Sequence, residues 1–337
     1  MGAQLRVYRR RIRTVQSTKK ITKAMELIAA SRIAKARARM TAARPYAREL
    51  TRALAALGKN ATLTHPMLTG VDSPQRTGIL IVTSDRGLAG GYNANVIKAA
   101  NQLAARLSGE GREVVWYVIG RKGAAYYNFR NIAVAGSWTG FSEQPNFLDA
   151  RKATETVVDA LSVTSAGESN GQAGIDELYV VYTRFQNSVS QIPTVAQVSP
   201  VKSAPDAEAD DAEGDAAAGD STDGSDGLEG SPDGDSRGRR TEGERQASYE
   251  FEPEPEELIA ALLPRYISAR IFSALLESAT SESAARRRAM KSASDNATEL
   301  ITTYTRLANQ ARQAEITQEI SEIVGGADAL AATGTDD

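Results

Sequence analysis

The sequence predicts an α/β protein with a long antiparallel coiled coil of the N- and C-terminal helices plus a Rossmann-like α/β middle domain. Two observations indicate this class: apolar seams at helical spacing near both ends, and strand-like runs that alternate with helical stretches between them. The predicted boundaries are a first helix over 1–60, an α/β domain over 75–203, an acidic insertion over 204–247, the last strand of the domain over 248–256 and a second helix over 257–326.

The N-terminal helix is predicted from a seam of uncharged residues between Leu5 and Leu57. Steps of three or four residues give the pattern of a coiled coil, with irregular steps near Thr18 and Ile33 and a local kink at Pro45. The seam contains Tyr8, Ile12, Val15, Thr18, Thr22, Met25, Ala29, Ile33, Ala36, Met40, Ala43, Ala47, Leu50 and Leu54.

The C-terminal helix is predicted from a matching seam that ends at Gly325 and Gly326, a helix stop signal. Its members are Ala293, Ala297, Leu300, Tyr304, Leu307, Ala311 and Ala314, followed by Ile316, Ile320 and Ile323. At 1.5 Å per residue, a helix over 1–57 is about 85 Å long and one over 265–324 about 90 Å, against a radius of gyration of about 20 Å for a compact chain of this length. We therefore expect them to pair antiparallel, as a rod projecting from a globular middle.

The middle of the chain has the pattern of an α/β domain. Strands are predicted at 78–84, 113–120 and 177–185, helices near 91–107, 121–130 and 146–162, and a further strand pair at 190–198 and 248–253. Residues 206–235 carry twelve acidic residues and no Lys or Arg. Such a tract buries too little apolar surface to offset its ordering entropy, so we predict a disordered insertion.

Composition excludes several classes of protein. The net charge is −2, but residues 1–57 carry +13. The absence of cysteine excludes disulfides and thiolate metal sites. No apolar run of about 18 residues and no signal-peptide pattern is found, which predicts neither a membrane span nor a secretory signal.

The stretch "SDRGLAGGYNANV", residues 84–96, follows a strand and precedes a helix, as a phosphate-binding loop does. It lacks the Lys and the Ser or Thr of a P-loop, and the G-x-G-x-x-G pattern is also absent. Gly87, Gly90 and Gly91 are therefore interpreted as a tight turn, with no cofactor. His65, the only histidine, precedes Pro66 in a predicted loop, and the acidic tract lacks EF-hand spacing. No catalytic or metal site is predicted, and the chain is not expected to be an enzyme.

Several blocks together resemble the gamma subunit of the F-type ATP synthase. They are "IRTVQSTKKITKAMELIAASRIAKA", "TSDRGLAGGYN", "YEFEPEPEELIAALLPRYI", "ALLESATSESAARRRAMKSASDNA" and "NQARQAEITQEISEIVGGADAL". The blocks occur in the family's order and cover both ends of the chain and much of its middle. The acidic insertion and the polar stretch "SVTSAGESNGQAG" depart from the family pattern where loops are expected.

The resemblance implies that the terminal helices form a central rotor shaft inside a ring of alpha and beta subunits. It implies that the Rossmann-like middle contacts epsilon and the c-subunit ring near the membrane. ATP chemistry would belong to the beta subunits, and this non-catalytic chain would couple proton flow to ATP synthesis or hydrolysis and help regulate ATPase activity. It would be a peripheral protein on the cytoplasmic face of the cell membrane, held there only through partner subunits.

The resemblance also implies six subunit-contact residues: Met25, Arg286, Arg312, Gln313, Thr317 and Glu319. The alternatives are helix packing for Met25, a solvated charge for Arg286 and an ordinary exposed helix face for the other four. Two other classes stay open for the basic N-terminal segment: a nucleic-acid-binding arm and an amphipathic helix on a membrane. The acidic insertion is interpreted either as an inert spacer or as a weak electrostatic brake.

Overall fold

The computed structural model describes residues 2–60, 66–165, 167–169, 172–201 and 255–333. His65, the acidic insertion over 204–247 and the strand expected at 248–253 lie outside this part of the chain. By its contacts the chain divides into two compact units. The first comprises Met1–Lys35, Gly87–Gly91 and Glu282–Asp337, and the second comprises Ala36–Arg86 and Tyr92–Ser281.

The described residues confirm an α/β class with long terminal helices. The helices are α1 (Gly2–Asn60), α2 (Pro66–Thr69), α3 (Tyr92–Gly109), α4 (Arg121–Phe129), α5 (Phe147–Val163) and α6 (Pro255–Thr333). The strands are β1 (Arg76–Val82), β2 (Glu113–Ile119), β3 (Gly136–Trp138), β4 (Glu168–Ser169), β5 (Gln172–Ala173), β6 (Glu177–Phe185) and β7 (Gln191–Ser199).

The second unit contains a sheet in the order β3-β2-β1-β6-β7. β1 pairs in parallel with β2 and β6, β2 pairs in parallel with β3, and β7 runs antiparallel to β6. Six of the seven residues of β1 are buried. A strand covered on both faces needs a continuous apolar run, which explains the sequence "GILIV" at its centre.

Each face of this sheet has its own core, because successive side chains of a strand point to opposite sides. Ile79 and Ile81 pack with α3 and α4 on one face. Leu80 and Val82 pack on the other face with α5, α6 and the end of α1. The sheet is therefore the middle layer between two helical layers.

Two short strand features were not predicted from the sequence. β3 has three residues, and Trp138 at its end stacks on Tyr117 with ring centroids 6.4 Å apart. β4 and β5 form a two-stranded antiparallel hairpin within the polar stretch that was interpreted as a loop. Strands this short are too brief for a period of two to be recognised.

The seam of α1 is more regular than the sequence analysis indicated. Steps of four and three residues alternate without a break from Tyr8 to Leu57, and every residue at these positions is buried or half-buried. Two of these positions, Lys19 and Glu26, are charged. Thr18, which was chosen in place of Lys19, is exposed. The prediction of an uncharged seam was wrong because long charged side chains bury their stems and keep their ends in water.

The seam of α6 in the first unit follows the same alternation. It contains Met290, Ser294, Ala297, Ile301, Tyr304, Ala308, Ala311 and Glu315, all buried or half-buried. The choice of Leu300 and Ala314 was wrong, since both are exposed. Contacts between Thr22 and Ser294 (2.7 Å between hydroxyl oxygens) and between the Tyr8 and Tyr304 rings (6.5 Å) confirm antiparallel pairing of the two helices in this unit.

The ends of α6 also differ from the prediction. The helix begins at Pro255, so residues 255 and 256 belong to it and not to the last strand. It continues through Gly325 and Gly326 to Thr333. A helical glycine costs about 1 kcal/mol relative to alanine, and proline suits a first helical position, so neither residue type forces the predicted boundary.

One stretch of α6 is more apolar than the sequence analysis allowed. Within Glu257–Ala327 an 18-residue window reaches a mean hydropathy of 1.4, which by length and composition alone is enough to cross a membrane. Half of that window is buried inside the protein, as in the core helix of a soluble protein.

Glu277 of α6 is a carboxyl group within the second unit whose Oε2 is buried and has no hydrogen-bond partner. Its burial raises its pKa to about 7, although Arg184, Arg44 and Arg270 and the backbone N–H of Phe185 act in the opposite direction. These three arginines belong to β6, α1 and α6. The carboxyl group therefore lies among arginines from three elements of the fold, but its burial disfavours the charged form.

Glu277 should make the stability of the chain depend on pH. Because its folded-state pKa of about 7 exceeds the ordinary value of 4.5, the folded chain binds this proton more tightly than the unfolded chain does. Stability should therefore fall as pH rises from 4.5 to 7. As pH rises from 5 to 8, the free energy of unfolding of Glu277→Gln should increase relative to that of wild type by on the order of 2–3 kcal/mol. Urea unfolding checks this, with the exposed Glu299→Gln as control; parallel pH profiles for Glu277→Gln and wild type would contradict it.

Gly120, between β2 and α4, should not tolerate a side chain. Its φ is 98°, and a Cβ there would lie 2.2 Å from the carbonyl oxygen of Thr83. We expect Gly120→Ala to lower the free energy of unfolding by about 2–4 kcal/mol, because backbone strain and overpacking add. Gly109→Ala is the control, since nothing lies within 4 Å of its Cβ position. A loss of equal size in both variants, measured by urea unfolding, would refute the steric account.

Candidate functional site on the terminal helices

The loop after β1 uses its polar groups internally. Asp85 accepts hydrogen bonds from the backbone N–H groups of Arg121 (3.1 Å), Gly140 (2.8 Å) and Ser142 (3.0 Å). Burial raises the pKa of Asp85, but these donors outweigh it and leave the pKa below its ordinary value. The Asp85 carboxylate therefore accepts from backbone N–H groups, among them that of Arg121 at the start of α4. A helix N-terminus is where a phosphate often binds.

The carboxyl end of β6 is covered by helix α6. Ser278 Oγ accepts a hydrogen bond from Thr183 N at 3.3 Å, and Ser281 Oγ donates to Thr183 O at 3.0 Å. In doubly wound folds ligands bind outside the carboxyl ends of the strands where the strand order reverses, which here is between β1 and β6. The chain's own helix thus packs at one side of that crevice.

Arg286 is buried in the first unit, unlike its exposed neighbours Arg287 and Arg288. Its guanidinium pairs with Glu282 one turn earlier at 2.7 Å, and both side chains are buried. The same guanidinium donates to the carbonyl oxygen of Gly87, with N–O distances of 3.3 and 3.4 Å. The glycine turn therefore presents a carbonyl oxygen to an arginine of its own chain.

The sequence analysis assigned Arg286 to a subunit contact and did not identify its partners. Glu282 was detectable, because acidic and basic residues four apart on a helix are neighbours. Gly87 was not, since its contact spans nearly 200 residues. Removing one member of a buried ion pair costs about 3–5 kcal/mol, because the other charge is left uncompensated.

Met25 lies half-buried on α1 beside the seam residue Glu26. Lys23 forms a salt bridge with Glu26 at 3.0 Å. Thr22, three residues before Met25, forms a hydrogen bond with Ser294 of α6. The side chain of Met25 is thus partly packed within the first unit and partly accessible. Both the packing role and the contact role are compatible with this position.

The other four predicted residues, Arg312, Gln313, Thr317 and Glu319, are all exposed on α6. The Thr317 hydroxyl donates to the backbone carbonyl of Gln313 at 2.9 Å. From the 100° turn per residue, Arg312 and Glu319 share one edge of the helix and Gln313 and Thr317 share another.

Between these two edges runs an apolar stripe of Ile316, Ile320 and Ile323, which are 44%, 56% and 71% exposed. The sequence analysis placed these residues on the seam, and the structure corrects this, because they point away from the side that packs on α1. Every residue from Ile316 to Ala327 is exposed. The structure therefore brings four of the six predicted residues together around an uncovered apolar stripe, with Met25 and Arg286 elsewhere in the same unit.

The described residues contain no group of three or more acidic or histidine side chains placed to hold a metal ion. In the glycine turn, the Gly87 carbonyl accepts hydrogen bonds from Arg286. What the site offers chemically is an apolar helical surface rimmed by one cation, one anion and two neutral polar side chains. Such a surface suits contact with another protein.

The chain is similar to known proteins of one family. A family model described as ATP synthase matches residues 4–330. An ATP synthase gamma chain from Streptomyces avermitilis is 50% identical over 331 residues, covering 98% of this chain and 97% of the relative. Another from Salinispora arenicola is 51% identical over 344 residues, covering 100% of both chains.

Two solved structures share the fold. A chain of the Euglena gracilis mitochondrial ATP synthase (OSCP/F1/c-ring) matches with a TM-score of 0.64 at 17% identity, covering 100% of this chain and 98% of that one. A chain of the Tetrahymena thermophila mitochondrial ATP synthase central stalk and c-ring matches with a TM-score of 0.52 at 22% identity, covering 81% and 99%. With relatives about half identical over nearly their whole length, the chain belongs to the ATP synthase gamma chain family.

Proposed function

We propose that the chain is the central rotor stalk of an F-type ATP synthase. It couples proton flow through the membrane sector to ATP synthesis or hydrolysis on the beta subunits, is not itself catalytic and takes part in regulating ATPase activity. The observation that carries this proposal is the uncovered stretch of α6 from Ile316 to Ala327, whose isoleucine stripe is rimmed by polar side chains.

The proposed mechanism is mechanical. A rotating helix changes the affinity of a surrounding subunit only if it contacts the subunit's different states unequally. The stripe of α6 and its two polar edges differ in character around the helix, so successive orientations present different surfaces to a surrounding ring. Such asymmetry is what a stalk needs in order to bias three catalytic subunits in turn.

The proposed partners are the alpha and beta subunits, epsilon and the c-subunit ring, with the membrane reached only through them, on its cytoplasmic face. Residues 1–57 carry +13, which favours acidic partner surfaces. Nucleic acid is the alternative for this charge. It is disfavoured because the seam of α1 packs on α6, as Thr22 and Tyr8 show, whereas DNA-reading helices usually project beyond their coiled coil.

The candidate residues take different roles in this proposal. Arg312, Gln313, Thr317 and Glu319 contact a beta subunit directly. Met25 contacts one from the half-buried flank of α1. Arg286 acts as a positioning residue, because its bonds to Glu282 and Gly87 fix the helix against the glycine turn.

The decisive experiment for the function is rotation of the chain within an assembled complex. A tagged copy should co-purify with three copies each of two homologous nucleotide-binding subunits, and a filament attached to it should rotate when ATP is added. Recovery of the chain alone or with nucleic acid would overturn the proposal.

The isolated chain should neither bind nor hydrolyse ATP. The reason is that Asp85 occupies backbone donors beside the glycine turn and Gly87 presents its carbonyl to Arg286. Titration calorimetry of the purified chain with ATP and magnesium should give no binding heat up to millimolar nucleotide. Saturable binding in the micromolar range would show that the nucleotide site is intact.

The polar edges of the stripe should matter for coupling. We expect Arg312→Ala combined with Gln313→Ala to slow ATP synthesis by assembled complexes about five- to tenfold, since each lost polar contact is worth about 0.5–1.5 kcal/mol. Gln318→Ala is the matched control, because Gln318 is exposed on the opposite side of the same helix. Its rate should stay within twofold of wild type. A wild-type rate of ATP synthesis in the double variant would show that Arg312 and Gln313 do not contribute to the contact.

A further inference from the structure

Thr183, near the end of β6, lies where the hydrogen-bond ladder of the sheet is incomplete. Its partner in β7 is Pro193, and the pairing of β1 with β6 ends two residues earlier, at Val181. In an antiparallel ladder the opposite residue donates to a carbonyl oxygen, and proline has no N–H to donate. Thr183 is buried, so its carbonyl oxygen needs a donor from elsewhere in the chain.

Two serines of α6 make the hydrogen bonds that the neighbouring strands do not. Ser281 Oγ donates to Thr183 O at 3.0 Å, and Ser278 Oγ accepts from Thr183 N at 3.3 Å. Residues three apart lie on the same face of a helix, so both hydroxyls reach one strand residue. Together the serines exchange a donor and an acceptor with Thr183, as one residue of a further antiparallel strand would.

The stretch of α6 around these serines is enclosed by the protein. From Ala274 to Ser281 every residue is buried except Glu277, which is half-buried. The alanines and leucines of this stretch make apolar contacts, which have no preferred direction. The Thr280 hydroxyl donates within the helix, to the carbonyl oxygen of Leu276 at 2.8 Å. The directional contacts of this stretch are therefore those of its two serines and of Glu277.

Glu277 reinforces the same attachment, because its carboxyl group accepts a hydrogen bond from the backbone N–H of Phe185 in β6. The second unit ends just after these residues, at Ser281, and the first unit takes up the same helix at Glu282. The helix then runs without a break to Thr333. Hydrogen bonds weaken steeply when their angles change, so this attachment fixes the rotation of α6 about its own axis.

We propose that Ser278 and Ser281 are positioning residues of the rotor, which lock α6 to the main chain of β6 so that a turn of the sheet becomes a turn of the helix. Both serines are buried, so they act through Thr183 and not through a partner subunit. Neither belongs to the six predicted contact residues. This role rests on the proposed rotor function.

The lock is tested first on the purified full chain, where the result does not depend on the rotor function. The variant combines Ser278→Ala with Ser281→Ala, and α6 should keep its form because alanine has the higher helix propensity. NMR follows exchange of the Thr183 amide hydrogen, corrected for the intrinsic rate. Exchange should become about three- to tenfold faster, the factor that a hydrogen bond of ordinary net strength confers.

Thr183→Val is the matched control. It keeps the backbone N–H and carbonyl groups that the serines bind, and it replaces a hydroxyl that is buried without a hydrogen-bond partner. Exchange of the amide at position 183 should therefore stay within about twofold of wild type, because no hydrogen bond is lost.

The mechanical role is tested in the assembled complex, with the alpha and beta subunits fixed to a surface. The chain has no cysteine, so Ser108→Cys, at an exposed position of α3, gives it a single thiol for a bead. In the absence of ATP, the thermal spread of the bead's angle reports the torsional stiffness between the sheet and the held part of α6. The double serine variant should increase the variance of this angle at least about twofold, since two of three directional contacts are lost.

Each outcome decides one point. Unchanged exchange at Thr183 in the double serine variant would overturn the lock itself. A wild-type angular variance in that variant, or equal widening in Thr183→Val, would overturn the mechanical role. If the wild-type complex does not rotate when ATP is added, the rotor function fails and this role with it, while the exchange result stands. Ser281→Ala alone replaces the double variant if the latter does not assemble.

Discussion

The structure depends on one continuous seam along α1. Four- and three-residue steps alternate from Tyr8 to Leu57, which keeps a single face of the helix turned toward its packing partners over about seven heptads. The same face that pairs with α6 near Thr22 in the first unit supplies Leu50, Leu54 and Leu57 to the core of the second.

The composition of this seam changes along its length. In the first unit it contains Lys19, Thr22, Glu26 and Ala29, and the partner position to Thr22 is Ser294. In the second unit it contains leucines that each bury a full side chain, worth about 1.5–3 kcal/mol. The seam of α1 in the first unit therefore mixes aliphatic residues such as Ile12 and Ile33 with small and polar ones, whereas the seam in the second unit is apolar throughout.

Sequence reasoning succeeded where a pattern repeated and failed where one contact decided the outcome. The strands β1, β2 and β6 and the two long helices follow from periodicity over many residues. The phase of the seams does not. Thr18 was chosen over Lys19 by side-chain polarity, whereas Leu300 and Ile301 are both apolar and both continue an alternation of three- and four-residue steps. The burial of Arg286 was hidden for a different reason. Three arginines stand in a row, and only the distant carbonyl of Gly87 distinguishes the first from its neighbours.

The end of α6 poses a question of energetics that the proposed role answers. From Ile316 to Ala327 every residue of the helix is exposed, and the segment contains β-branched residues and two glycines, which lower helix propensity. The segment extends a helix that is already nucleated, so each of its residues gains only the small free energy of helix propagation. Hydrogen bonds from Thr317 and Ser321 to the carbonyls one turn earlier do not bury apolar surface. Under the proposed role, a subunit that covers the isoleucine stripe adds stabilisation that the described part of the chain does not supply, so contact with that subunit and helical order at the end of α6 are thermodynamically linked.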